Sequence, residues 1–186
     1  IQIAATILFT TDNFIISHLY GPEEVVPYHI AMKYFSILLM GYGILTAPLW
    51  STFTDAYTRN DLAWIENTIS KVQRLWLFGI SHSLLLMLLL SDWLYHVWLG
   101  KEIIIPLGLS VGMAFFVSIA TFGQVYIALI NGAGKVGLQL FVSVIVIMLN
   151  IPLSLYFAIG LNFGSIGIIL STNVCMIIPA VLWRVQ

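Results

Sequence analysis

Long apolar runs, broken by short polar turns, dominate the pattern of this chain. A helix needs about 20 apolar residues at 1.5 Å rise each to cross a bilayer, and six runs approach or exceed that length. They fall at 1–20, 27–53, 75–90 with flanks, 103–130, 136–159 and 163–183. The connections carry turn chemistry: GPEEVVP at 21–27, TDAYTRND at 54–61, NGAGKVG at 131–137 and GLNFG at 160–164. Most are hairpin-short, so successive helices are expected to pack antiparallel. The segment 54–74 departs from this pattern. Leu62, Ile65, Ile69 and Val72 recur there at helical spacing, with Glu66, Asn67, Ser70 and Lys71 lying mainly away from them. That spacing predicts a short amphipathic helix at about 61–74 on the membrane surface. The expected fold is therefore all-α integral membrane, with six transmembrane helices over residues 1–186 and a surface helix between the second and third.

Polar positions inside the apolar runs are the informative exceptions. An ionisable side chain deep in hydrocarbon costs at least a few kcal/mol and normally faces a partner or a wet cavity. Asp12 lies ~13 Å of helix before Gly21, and Lys33 ~9 Å after Pro27, so they are expected at similar depth on adjacent antiparallel helices. The expectation is that Asp12 and Lys33 pair, or share a charged substrate, in a cavity open toward the outer half of the membrane; a purely structural ion pair is the alternative. His29, Lys33, Ser36, Gly43, Ala47, Ser51 and Asp55 follow steps near three and four and so share one face of the second helix. Close packing through small residues would explain Gly43 and Ala47, but not His29 and Lys33. Pro48 removes a backbone donor and predicts a kink. On the fifth helix Gln139, Ser143, Val146, Asn150 and Ser154 share a face, and Gln124 and Asn173 place amides in the fourth and sixth. Such groups bridge helices, or serve a hydroxyl-rich ligand. The candidate cavity residues are Asp12, His29, Lys33, Ser36, Gln124 and Asn150.

Composition supports the membrane reading. Apolar residues make up 60% of the chain and charged residues 8%, against about 45–50% and about 25% in soluble domains. The formal net charge of −1 supplies no basic field for nucleic acid. Positive charge is distributed unevenly: Arg59, Lys71, Arg74, Lys135 and Arg184 fall on one face and Lys101 alone on the other. Since short cytoplasmic loops retain Lys and Arg, both ends are expected in the cytoplasm. Trp93, Tyr95 and Trp98 read as an aromatic belt on the far side, with Trp50, Tyr57, Trp64 and Trp76 as its counterpart.

Enzyme signatures are weak. No intramembrane carboxylate follows a histidine at short spacing, no His pair has helical metal-ligand spacing, and Cys175 is the single cysteine. NGAGKVG lacks the strand and spacing of a phosphate-binding loop. The expectation is a protein that is not an enzyme, with no catalytic residue, no metal and no cofactor. Ile1 opens without an initiator Met, a basic region or a cleavage site, so no signal peptide is read and the chain looks like a fragment.

Residues 11–70 resemble the polysaccharide-transport branch of the multidrug/oligosaccharidyl-lipid/polysaccharide exporter superfamily. The features run in order: Asp12 before the turn at Gly21, then Tyr28, Ala31 and Lys33 opening the next helix, Pro48 and Trp50 near its end, and Asp61 before the surface segment. Asn150, Gly160, Gly164, Gly167 and Thr172 resemble the late pattern of an Asn-bearing helix, a glycine turn and a small-residue helix. The resemblance implies one six-helix lobe, the C-terminal one, of a two-lobe transporter working by alternating access in the bacterial inner membrane. Its partners would be the bilayer, the N-terminal lobe of the same chain, and a glycan linked to undecaprenyl pyrophosphate, such as an O-antigen precursor of lipopolysaccharide. Lys33 would contact pyrophosphate or an acidic sugar, and Asp12 would tune it or bind a coupling cation. The runner-up is a cation-coupled multidrug or small-molecule antiporter of the same superfamily.

Overall fold

The computed structural model describes residues 2–100 and 103–182. Eight α-helices follow one another: α1 (Gln2–Tyr20), α2 (Val25–Thr46), α3 (Leu49–Thr58), α4 (Leu62–Leu75), α5 (Ser81–Leu99), α6 (Leu107–Gly132), α7 (Val136–Leu155) and α8 (Gly164–Leu182). No strand occurs among the described residues. Four helical stretches, Pro22–Thr58, Leu62–Leu99, Leu107–Gly132 and Gln139–Gly160, are long and apolar enough to cross a membrane, and Gly164–Ala180 is a shorter apolar helix. The protein is thus an all-α protein of membrane character. Lys101, Trp183 and Arg184 lie outside the described residues.

Turn residues act where the sequence places them. Gly21 has φ 94° and leads into a 3-10 turn at Pro22–Glu24, reversing the chain from α1 into α2. Pro48, expected to kink the second run, divides it instead: α2 ends at Thr46 and α3 begins at Leu49, since proline offers no N–H to continue the ladder. The amphipathic segment forms α4, with Asp61 as its N-cap accepting a hydrogen bond from the Trp64 N–H at 3.0 Å. Ile65 is buried and Ile69 and Val72 half-buried, while Glu66, Ser70 and Lys71 are exposed. One expectation is corrected here. α4 is not a separate helix but runs through a π-turn at Trp76–Ile80 straight into α5, because no Gly–Pro or Asn–Gly signal breaks the chain between them. A second π-turn, Tyr156–Gly160, ends α7.

α6 is the hub, packing on α2, α3, α5 and α8. Its buried face of Leu109, Met113, Phe116 and Val117 meets Phe35 and Tyr42 of α2 and Ile168 and Ile169 of α8. The approach to α8 depends on Gly112, where a Cβ would fall 2.6 Å from a methyl of Ile169. A smaller core joins Phe53 and Ala56 of α3 to Ile65 of α4 and to Val125 and Tyr126 of α6. The aromatic belts are also revised. Trp93 and Trp98 are exposed, as are Trp50, Tyr57 and Trp64. Tyr95 instead turns inward beside the Ser110 hydroxyl at 3.3 Å, and the Trp76 indole N–H donates to Thr121 Oγ1 at 3.0 Å. Both polar tips find partners on α6, which gives them an inward alternative to the interface.

Candidate functional site

A polar cluster lies where α1, α2, α7 and α8 meet. α1 carries Asp12, whose side chain is completely buried. α2 supplies Tyr28, placed by the stripe Tyr28, Ala31, Phe35 and Tyr42 that this helix buries. α7 supplies Asn150 and α8 supplies Thr172, both buried.

The hydrogen bonds converge on one carboxylate oxygen. Tyr28 Oη donates to Asp12 Oδ2 at 3.0 Å, and Thr172 Oγ1 donates to the same atom at 3.0 Å. Thr172 Oγ1 also lies 3.2 Å from the Ile168 carbonyl, but a hydroxyl has a single proton and the charged acceptor makes the stronger bond. Asn150 Nδ2 in turn donates to Thr172 Oγ1 at 2.9 Å. One turn along α7, Ser154 and Ser171 share a hydrogen bond of 2.5 Å, and Ser171 Oγ donates to the Ile168 carbonyl at 2.8 Å. Within this cluster two buried oxygens stay without partners, Asp12 Oδ1 and Asn150 Oδ1. An unpartnered polar atom away from water costs about 1–3 kcal/mol, more when charged, so Asp12 Oδ1 would be stabilised by a proton or a cation and Asn150 Oδ1 by a hydrogen-bond donor.

The expected Asp12–Lys33 pair does not form. Among the described residues the Asp55 carboxylate pairs with Arg59, and Asp92 lies 3.8 Å from the His96 imidazole. Asp12 faces the helix junction and Lys33 is exposed, because the buried stripe of α2 fixes its rotation and turns Lys33 away from α1. The six candidates therefore divide three ways. Asp12 and Asn150 join the buried cluster. His29 and Lys33 are exposed on the other side of α2, with Ser36 half-buried beside them and donating to the Lys33 carbonyl at 2.9 Å. Gln124 is half-buried on α6, its side chain 3.2 Å from Thr46 Oγ1, whose proton goes to the nearer Tyr42 carbonyl at 2.9 Å.

Sequence reasoning missed Tyr28 as a member of the site. The period of Tyr28, Ala31, Phe35 and Tyr42 marks the buried face of α2, and a tyrosine on such a face needs a partner for its hydroxyl. No family model, curated protein or solved structure matches the chain. What is established is an all-helical protein of membrane character with a carboxylate enclosed at a four-helix junction.

Proposed function

We propose that this protein is a flippase that carries lipid-linked oligosaccharide repeat units, precursors of surface polysaccharide or O-antigen, across the bacterial inner membrane by alternating access. In this reading the chain forms six transmembrane helices with both ends in the cytoplasm, and it works against a second lobe. The observation that carries the reading is the exposed face of α2. Lys33 and His29 stand exposed on Pro22–Thr58, a stretch apolar and long enough to span a membrane, opposite the face that packs on α6. A lysine facing lipid at depth costs a few kcal/mol, so this face belongs against water, a partner lobe or an anionic substrate. A pyrophosphate-linked glycan offers both the anion for Lys33 and hydroxyls for Ser36 and His29.

The enclosed carboxylate supplies a means of coupling. Asp12 Oδ1, buried and without a partner, is an oxygen that suits a proton or a hard cation. Tyr28, which donates to Asp12, lies on the same helix as Lys33, and that hydrogen bond is the route by which a change of charge at Asp12 would reach the α2 face.

The same cluster favours a second reading, a cation-coupled small-molecule antiporter, and substrate separates the two. The test is a strain lacking the complete protein, in which surface glycan and lipid-linked repeat units in the inner leaflet are both measured. The flippase reading expects loss of the first and accumulation of the second, restored by the wild-type gene. Normal surface glycan without the protein rules it out.

A further inference from the structure

A group of polar side chains separate from the Asp12 cluster lies where α3 passes into α4. A cavity of about 350 Å³ opens there between Ser51, Thr52 and Asp55 of α3, Arg59 and Asp61 of the turn, and Trp64 of α4. Small-ligand clefts run from about 300 to 1,000 Å³, so this one suits a single compact group. Its frame is fixed. Phe53, Ile65, Val125 and Tyr126 clamp α3 and α4 onto α6, and the turn is closed by the Asp61 N–H donating to the Ala56 carbonyl at 2.9 Å. Asn60 holds φ 57° in that turn, a conformation Asn tolerates better than most residues.

The lining presents polar groups in pairs, each half used internally. Asp55 Oδ1 accepts from Arg59 Nε at 3.0 Å on the open rim of the cleft, where both side chains are exposed, and this leaves the second carboxylate oxygen and the terminal guanidinium nitrogens of Arg59 unused. Asp61 Oδ1 accepts from the Trp64 N–H and leaves Oδ2. Ser51 Oγ gives its proton to the Pro48 carbonyl at 3.0 Å, and so turns lone pairs outward. Beside them Trp64 stands edge-on to Phe53, with 38% of its surface open. Two carboxylates against one guanidinium leave the lining net negative, which disfavours phosphate and acidic sugars. The arrangement of acceptor oxygens, a few donors and an indole face matches a ring with hydroxyls on its rim and C–H groups on its faces.

We propose that this cavity binds one neutral or amino sugar ring, the surplus carboxylate favouring an amine. Its place in transport, as the point where the glycan headgroup is first held, rests on the flippase reading; the binding itself does not.

The experiment is saturation-transfer NMR on the complete protein in lipid nanodiscs, with methyl glucoside, methyl galactoside and glucosamine as probes and galacturonate and inorganic phosphate as controls. At least one neutral or amino sugar is expected to give a signal that neither control displaces, and Trp64→Ala or Asp55→Asn is expected to reduce it about tenfold. Trp64→Phe, which keeps a ring face, should retain most of it, and circular dichroism of each variant checks that the helices are intact. No signal from any probe overturns the proposal, as does a signal unchanged in Trp64→Ala or one displaced by phosphate. Binding in a protein whose deletion leaves surface glycan normal would keep the sugar site and remove the flippase; a glycan defect without binding would do the reverse.

Discussion

Asp12 depends on two donors from distant parts of the chain, and that dependence can be measured. Tyr28→Phe removes one hydrogen bond to a buried carboxylate, a loss of about 1.5–3 kcal/mol, and should lower the thermal unfolding temperature of the purified protein. Thr172→Val should cost more, because it strips a donor from Asp12 and the acceptor from Asn150 Nδ2 at once. As the three groups form one network, the double variant should be less destabilised than the sum of the single ones, and strict additivity would show that the bonds act separately. Lys33 is the opposite case. It is exposed and has no ion-pair partner among the described residues, so Lys33→Ala should leave abundance and unfolding temperature unchanged. Under the flippase reading it removes a charge-assisted contact, and glycan export in the deletion strain should fall by about tenfold or more. Wild-type export with Lys33→Ala would take this residue out of the substrate path.

Among the helices, packing turns on a few glycines that the sequence does not rank. A Cβ at Gly167 of α8 would lie 2.7–2.8 Å from the backbone of Phe157 and Ala158, atoms that cannot rotate away. Gly167→Ala should therefore destabilise the protein by about 1–3 kcal/mol, the usual range for overpacking. Gly41 sits exposed in α2 with nothing near its Cβ position, and Gly41→Ala should be neutral or mildly stabilising through helix propensity. Thermal unfolding of the two variants side by side checks the contrast; equal effects would mean that α8 does not seat against the π-turn after α7 as closely as described. Both glycines lie in apolar helical sequence, so composition alone could not tell them apart. Only the neighbour does.

At the scale of the whole molecule, the uneven distribution of Lys and Arg predicts a definite orientation. With Cys175 replaced by serine, Glu24→Cys in the α1–α2 turn should react with an impermeant maleimide from outside, and Lys135→Cys before α7 only after permeabilisation. The same sidedness for both would refute an odd number of membrane crossings between positions 24 and 135, and with it the proposed orientation. Much of this architecture was readable in the sequence: the apolar runs, the break at Pro48, the Asp61 cap and the amphipathic face of α4 are all local. Continuity of α4 with α5 follows from the lack of a Gly–Pro or Asn–Gly break, but the π-helical turn that joins them has no composition signal that separates it from an ordinary helix.

The sequence by itself determined that this chain is helical and of membrane character, where its turns fall, and that Asp12, Lys33 and Asn150 are costly exceptions in apolar surroundings. These follow from residue chemistry and spacing within a few turns of helix. It misassigned the partner of Asp12, since two helices of suitable depth do not fix their rotation about their own axes. Tertiary structure made that choice: Phe35 and Tyr42 bury one side of α2 against α6, which brings Tyr28 to Asp12 and turns Lys33 outward. Thr172, 160 residues from Asp12 along the chain, completes the cluster only because α8 packs against α1. Charge placement was local information, whereas charge pairing required the fold.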